Sequence, residues 1–206
     1  MNTINPRIYL ASQSPRRREL LKQIGISFEV LLLRTKPGRK VDVDETPYAN
    51  EPPLDYVQRI SDAKVSAGWN ALVSRNLPRF PVLAADTAVV LNDCILGKPR
   101  NREEAADMLA RLSGQKHLVL SAVALAYDGK IEMRVSASTV IFAELSKERI
   151  LRYLVSNEAF DKAGAYAIQG RAGAFVQRIE GSYSGVMGLP LYETIELLQL
   201  FGHPVP

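Results

Sequence analysis

Residues 117–127 and 130–142 are two long runs rich in apolar and β-branched side chains, separated only by Asp128-Gly129. A two-residue Asp-Gly connection suits a turn with positive φ at both positions, the geometry that joins antiparallel strands. A chain like this must therefore be built around a long hairpin. Upstream, strands and helices alternate. Residues 7–11 (RIYLA) read as a strand, followed by Ser14 as N-cap and Pro15 as first helical residue; that helix stops at Gly25. Residues 28–33 read as a second strand. A helix from about Leu54 should turn Leu54, Val57, Ile60, Ala63 and Ala67 to the core. A short apolar strand, 81–85, is expected to end at Asp86, with 87–91 continuing extended into a turn at Asn92-Asp93. Helices are expected over 102–112 and from Ser146 to about Val155, a strand over 175–179, and a last helix from about Pro190 to Phe201. Such alternation is α/β, and 206 residues without repeat or linker fit one domain, 1–206.

Composition narrows the function classes. Cys94 is the only cysteine, so one chain can build neither a disulfide framework nor a cysteine metal cluster; it reads as a small apolar strand residue. The two histidines, His117 inside a strand and His203 near the end, do not support a histidine triad or zinc site. Residues 1–7 lack the apolar core of a signal peptide, and no run reaches the roughly 18 apolar residues of a membrane span. No membrane partner and a cytoplasmic location are the expectation. The net charge of +4 favours an anionic partner. The basic residues are scattered rather than arranged in a stripe interleaved with aromatics, which points away from nucleic acid and toward a small anion.

Several segments carry candidate chemistry. Ser12, Gln13, Ser14, Pro15, Arg16 and Arg17 join a strand to a helix N-terminus, where free N–H groups and the helix dipole attract phosphate. Two arginines in that first turn would repel the dipole unless an anion offsets them. Asp86 follows a buried strand; a carboxylate there must be paired, solvated or metal-bound, and could bind a divalent cation or activate water. Lys64 and Lys98 could neutralise phosphate, though taken singly each reads as a surface residue. Residues 35–53 are a long polar loop with four prolines, in which Glu45 or Glu51 could complete a magnesium site. In DKAGAYAIQG, 161–170, small residues permit close backbone approach, and Gln169 offers a donor and an acceptor to one edge of a base.

Together these segments resemble the Maf-like nucleotide pyrophosphatase family from Leu10 to about Phe201. The resemblance rests on LASQSPRR at 10–17 and Asp44-Glu45 with Glu51, Tyr56-Val57, Arg59-Ile60 and Lys64. It continues through AADT at 84–87, GKP at 97–99, DKAGAYAIQG, GSYSGVMGLPL at 181–191 and Glu193-Thr194. It implies an elongated mixed sheet flanked by helices, with a cleft between two lobes, and metal-dependent cleavage between the α and β phosphates of a nucleoside triphosphate. By that resemblance Asp86 is the base. Ser12, Ser14, Arg16, Arg17, Lys64 and Lys98 are substrate-side residues, and Glu45 and Asp86 would hold Mg2+ or Mn2+. Arg16, Thr87 and Gln169 map to substrate choice. AYAIQG resembles the dTTP/UTP branch, with Ala88 and Ala167 as small departures beside the site. A 7-methyl-GTP or other modified-purine pyrophosphatase, and a nucleotide-binding regulator of septum formation with little turnover, are the alternatives. A homodimer is compatible with the chain.

Overall fold

The computed structural model describes residues 7–34 and 41–205. The first six residues and part of the long proline-containing loop, 35–40, lie outside them. The expected hairpin is the spine of the fold. Strands β5 (Lys116–Tyr127) and β6 (Lys130–Phe142) pair antiparallel along their whole length, from Lys116↔Ile141 to Tyr127↔Lys130. Asp128 and Gly129 take φ of 48° and 82°, the pair of positive angles that a type I′ turn needs. A second such turn at Asn92-Asp93 (φ 50° and 61°) joins β3 (Val82–Leu91) to β4 (Cys94–Leu96).

The remaining strands are β1 (Ile8–Leu10), β2 (Phe28–Val30) and β7 (Val176–Glu180). All seven form one sheet in the order β2-β1-β3-β5-β6-β7, with β4 also on β3. β1 runs parallel to β2 and β3, and every other pairing is antiparallel, so the sheet is mixed. Between β1 and β2 lies helix α1 (Pro15–Gln23), closed by Gly25 at φ 72°, with Ile26 N–H bonding back to Leu21 O.

One sheet face is covered by α2 (Pro53–Ser74), which buries Val57, Ile60, Val65 and Leu72 against Ala84, Ala88, Val90, Ala122 and Ala124. Val57 and Ile60 face the core as expected, but the rest of the expected face is corrected. Leu54 is exposed, and Ala63 and Ala67 are only half-buried. Gly68 sits where a Cβ would lie 2.8 Å from Val82 and 3.0 Å from Ala11, so the helix axis comes closest to the sheet there. That close approach turns the buried stripe toward Gly68 and away from Leu54.

The opposite face carries two apolar cores. Leu83, Ala85, Val123 and Leu125 pack under α1 and α6 (Leu191–Leu200). Val89, Leu91 and Val119 pack under α3 (Arg102–Leu112) and α4 (Lys147–Leu154), together with the 3-10 turns at Ala163–Ala165 and Arg171–Phe175. The two cores divide at Thr87 and Ser121, which face each other across β3 and β5. Ile168 packs against both, and α5 (Tyr183–Met187) straddles the division, Val186 on one core and Met187 on the other. Cys94, expected as a small apolar strand residue, does lie on a strand, the edge strand β4, where it is exposed.

Candidate active site

Asp86 does not end a strand. β3 runs unbroken through it; what ends is its neighbour. β1 pairs with β3 only at Val82 and Leu83, and β4 only from Val89 onward. Both lie on the same edge, because β5 occupies the other from Val82 to Val90. Residues 84–88 therefore have no strand partner on that edge among the described residues. By strand alternation, Ala85 and Thr87 direct their backbone N–H and C=O into the gap, since Leu83 O bonds Ala11 N on that side. Ligands in open α/β sheets gather where neighbouring strands part in this way.

Alternation also sends Asp86 and Thr87 to opposite faces. Asp86, 7% exposed, points to the α2 side. Lys64, one turn beyond the buried Ile60 and Ser61, reaches it: Nζ lies 2.7 Å from Asp86 Oδ1. The same Nζ lies 2.8 Å from Glu45 Oε1, and Lys98 Nζ is 3.8 Å from Glu45 Oε2. Two carboxylates and two ammonium groups thus form one chain of charge. Burial pushes the Glu45 carboxyl up, but Lys64, then Lys98 and Arg17, outweigh it and hold the group below the usual carboxylate range. The Tyr56 hydroxyl donates to Glu45 O at 3.1 Å; burial, with Asp86 and Glu45 adding to it, pushes that phenol up.

On the other face Arg17 is fixed by three acceptors. Nε donates to Gly188 O at 2.7 Å, Nη1 to Ser12 Oγ at 3.3 Å and Nη2 to Thr87 Oγ1 at 3.5 Å. Burial pulls the guanidinium pKa down, while Asp86 and Glu45 oppose the shift. Ser12 Oγ also accepts Ser14 N–H at 3.2 Å. Ser14 is the N-cap of α1 with extended backbone, and its side chain makes no capping bond. For Arg16, next to Arg17, burial lowers the pKa, and the charge of Asp161 leads those that act against the shift.

The structure joins Ser12, Arg17, Glu45, Lys64, Asp86, Thr87 and Lys98 into one constellation around the gap in β3. Ser14 borders it. Gln169 lies outside the bonded network; it is exposed, and its side chain bonds nothing among the described residues. Its neighbour Ile168 nevertheless lies at the junction of the two cores. Glu51, the alternative carboxylate for a metal, instead pairs with Arg59; Tyr56, Arg59 and Gly188 stand out in the sequence only as parts of motifs, and Ser121 lies outside every motif. A lone serine inside the apolar run HLVLSAVAL was the available signal for Ser121.

Glu45 and Asp86 fit a hard divalent cation. Both are oxygen donors, and both already converge on one positive group, Lys64 Nζ. Among the described residues no cluster of three or more His, Cys, Asp or Glu could hold a metal. Two carboxylates are the donor set that magnesium takes when phosphate oxygens and water complete its shell.

The family model described as "Maf-like protein" matches residues 7–201. A Nitrosomonas europaea protein named "dTTP/UTP pyrophosphatase" is 55% identical over 195 residues, 95% of this chain and 94% of its own. An Aromatoleum aromaticum protein of the same name is 50% identical over the full length of both. Among solved structures, the Staphylococcus aureus Ham1 protein superposes with a TM-score of 0.50 at 15% identity, covering 95% of this chain and 97% of its own. At that identity it shares the fold alone.

Proposed function

The chain belongs to the Maf-like protein family, and from that premise we propose that it hydrolyses dTTP and UTP to the nucleoside monophosphate and pyrophosphate. The observation that carries this reading is the charged constellation at the gap in β3. Arg17, Lys64 and Lys98 supply positive charge, and Asp86 and Glu45 supply carboxylates, all around an uncovered strand edge. The names of the similar proteins supply the substrate class.

The triphosphate carries about four negative charges, which repel an incoming water. Arg17 and Lys98 offset that charge. Lys64 holds the Asp86 and Glu45 carboxylates in place before substrate arrives. Asp86 takes a proton from the water that attacks the α-phosphorus; the bond to the β-phosphate breaks and pyrophosphate leaves. Magnesium or manganese held by Glu45 and Asp86 would supply further screening of the phosphates. Arg16, Thr87 and Gln169 belong to substrate choice in this reading, and a homodimer in the cytoplasm without nucleic-acid partners completes it. No helix among the described residues is long and apolar enough to cross a membrane.

Pyrophosphate release from UTP, dTTP, CTP, GTP and 7-methyl-GTP, measured in one series, tests the reading. UTP and dTTP should be cleaved most efficiently. Preference for 7-methyl-GTP would move the chain to a purine role, and nucleotide binding without pyrophosphate release would make it a sensor.

A further inference from the structure

Ser121 lies in the middle of β5, is fully buried, and has so far no part in the chemistry. Its single hydroxyl hydrogen is committed. Ser121 Oγ lies 2.7 Å from Gly185 O, a carbonyl that can only accept, so Ser121 must donate there. Ser121 Oγ is also 2.9 Å from Thr87 Oγ1. With its hydrogen already used, Ser121 can only accept in that contact, and Thr87 must be the donor. The Thr87 hydroxyl is then spent as well. It faces Arg17 with lone pairs alone, at 3.5 Å from Nη2.

The direction of every bond is thus set from one carbonyl outward. Arg17 donates to Thr87, Thr87 to Ser121, and Ser121 to Gly185. The loop closes on itself, because Arg17 Nε donates to Gly188 O, at the end of the same short helix that presents Gly185. Gly188 presents that carbonyl from φ 113°, a backbone conformation that favours glycine. The ring ties α1, β3, β5 and α5 together at the boundary of the two apolar cores. Without Ser121, the Thr87 hydroxyl would be free to rotate its hydrogen toward Arg17, replacing an attraction by a repulsion.

We propose that Ser121 is a positioning residue for the triphosphate: by fixing Thr87 as an acceptor it holds the Arg17 guanidinium in the orientation that binds phosphate oxygens. The inference rests on the reading of Arg17 as a phosphate-binding group. Ser121 touches no substrate and acts only through Thr87.

The test compares Ser121→Ala, Thr87→Val, their double variant and Arg17→Lys, each confirmed as folded by circular dichroism. Two readouts are taken: KM and kcat for UTP, and the calorimetric Kd of α,β-imido-UTP, which cannot be cleaved between those phosphates. Ser121→Ala should raise KM and Kd about tenfold, the effect of one misdirected hydrogen bond to a charged group, with kcat changed much less. Adding Ser121→Ala to Thr87→Val should change nothing further, because the bond it would misdirect is already gone. A merely structural serine would instead lower kcat through a smaller active fraction and leave KM and Kd in place; that result, or additive effects in the double variant, overturns the proposal. If Arg17→Lys leaves Kd unchanged, the reading of Arg17 itself fails. If Arg17→Lys weakens binding while Ser121→Ala does not, the Ser121 inference alone fails.

Discussion

At the scale of single residues, position along a strand and side of the sheet decide what a group can do. Asp86 and Thr87 are neighbours, yet one meets Lys64 and the other Arg17. Asp86→Asn keeps the shape and removes the ionised carboxylate. Turnover should fall by about 10²-fold or more, as for loss of a general base, with the circular dichroism spectrum unchanged; near-normal turnover would remove Asp86 from the mechanism. His117 shows the opposite case, a buried titratable group remote from the charges. It is 3% exposed, its Nε2 is 2.9 Å from the Tyr166 hydroxyl, Phe142 stacks edge-on, and Nδ1 has no partner among the described residues. Burial lowers its pKa to about 4 from 6.5. Between those two values the unfolded chain takes up a proton that the folded chain refuses. The stabilisation from His117 is therefore complete above pH 6.5, declines as pH falls, and is exhausted below about 4, on the order of 3 kcal/mol in all. Thermal unfolding should show wild type losing more Tm between pH 7 and 4.5 than His117→Gln does; parallel curves would contradict the assignment.

At the scale of elements, residues 41–52 form neither helix nor strand, yet Glu45 must reach Lys64. α2 holds the loop with one arginine. Arg59 forks onto Glu51 at 2.6 and 2.7 Å, donates to Thr46 O at 3.2 Å, and lies 3.9 Å over the Tyr48 ring. Arg59→Lys keeps the charge and loses both the fork and the stacking. The magnesium concentration for half-maximal activity should rise at least about tenfold, as for loss of a group that orients a metal ligand, while Tm moves little. An unchanged metal dependence would separate the clamp from the site. This loop also marks where the sequence ceased to be legible. The charged residues of the site stand together only through the family resemblance, whereas the hairpin at Asp128-Gly129 and the helix stop at Gly25 could be read directly, since each depends on local backbone preference. The face of α2 could not, because Gly68 against Val82 and Ala11 is a contact between distant segments. The break beside Asp86 was hidden for the same reason: it lies in the pairing of β1 and β4 with β3, not in β3. Glu51 and Arg59 both fall in a family-like block of the sequence, but only the fold shows that they form a clamp.

At the scale of the whole molecule, the two apolar cores part at Thr87–Ser121, and a nucleotide bound at the gap would have groups from both lobes around it. Its phosphates would meet Arg17, Lys64 and Lys98 together with the carboxylates. Activity should vanish with a chelator and return with magnesium or manganese, whereas full activity after exhaustive chelation would leave charge screening to the basic residues alone. The base must then be read by something beyond this constellation. Gln169 is the candidate: it follows Ile168, which touches both cores, and its exposed amide bonds no other group of the described chain. Uracil and thymine present two carbonyls flanking an N–H, and a glutamine amide can donate to a carbonyl and accept that N–H together. Cytosine presents an amino group and a bare ring nitrogen there, so the same pose leaves polar groups unpaired, a mismatch that can discriminate by orders of magnitude. Gln169→Ala should raise KM for UTP and narrow the gap in kcat/KM between UTP and CTP without abolishing cleavage. The measurement is kcat/KM for UTP, CTP and GTP with wild type and variant side by side. If the variant keeps the wild-type ratios, another group reads the base, and if the wild type itself shows none, the site recognises only the triphosphate.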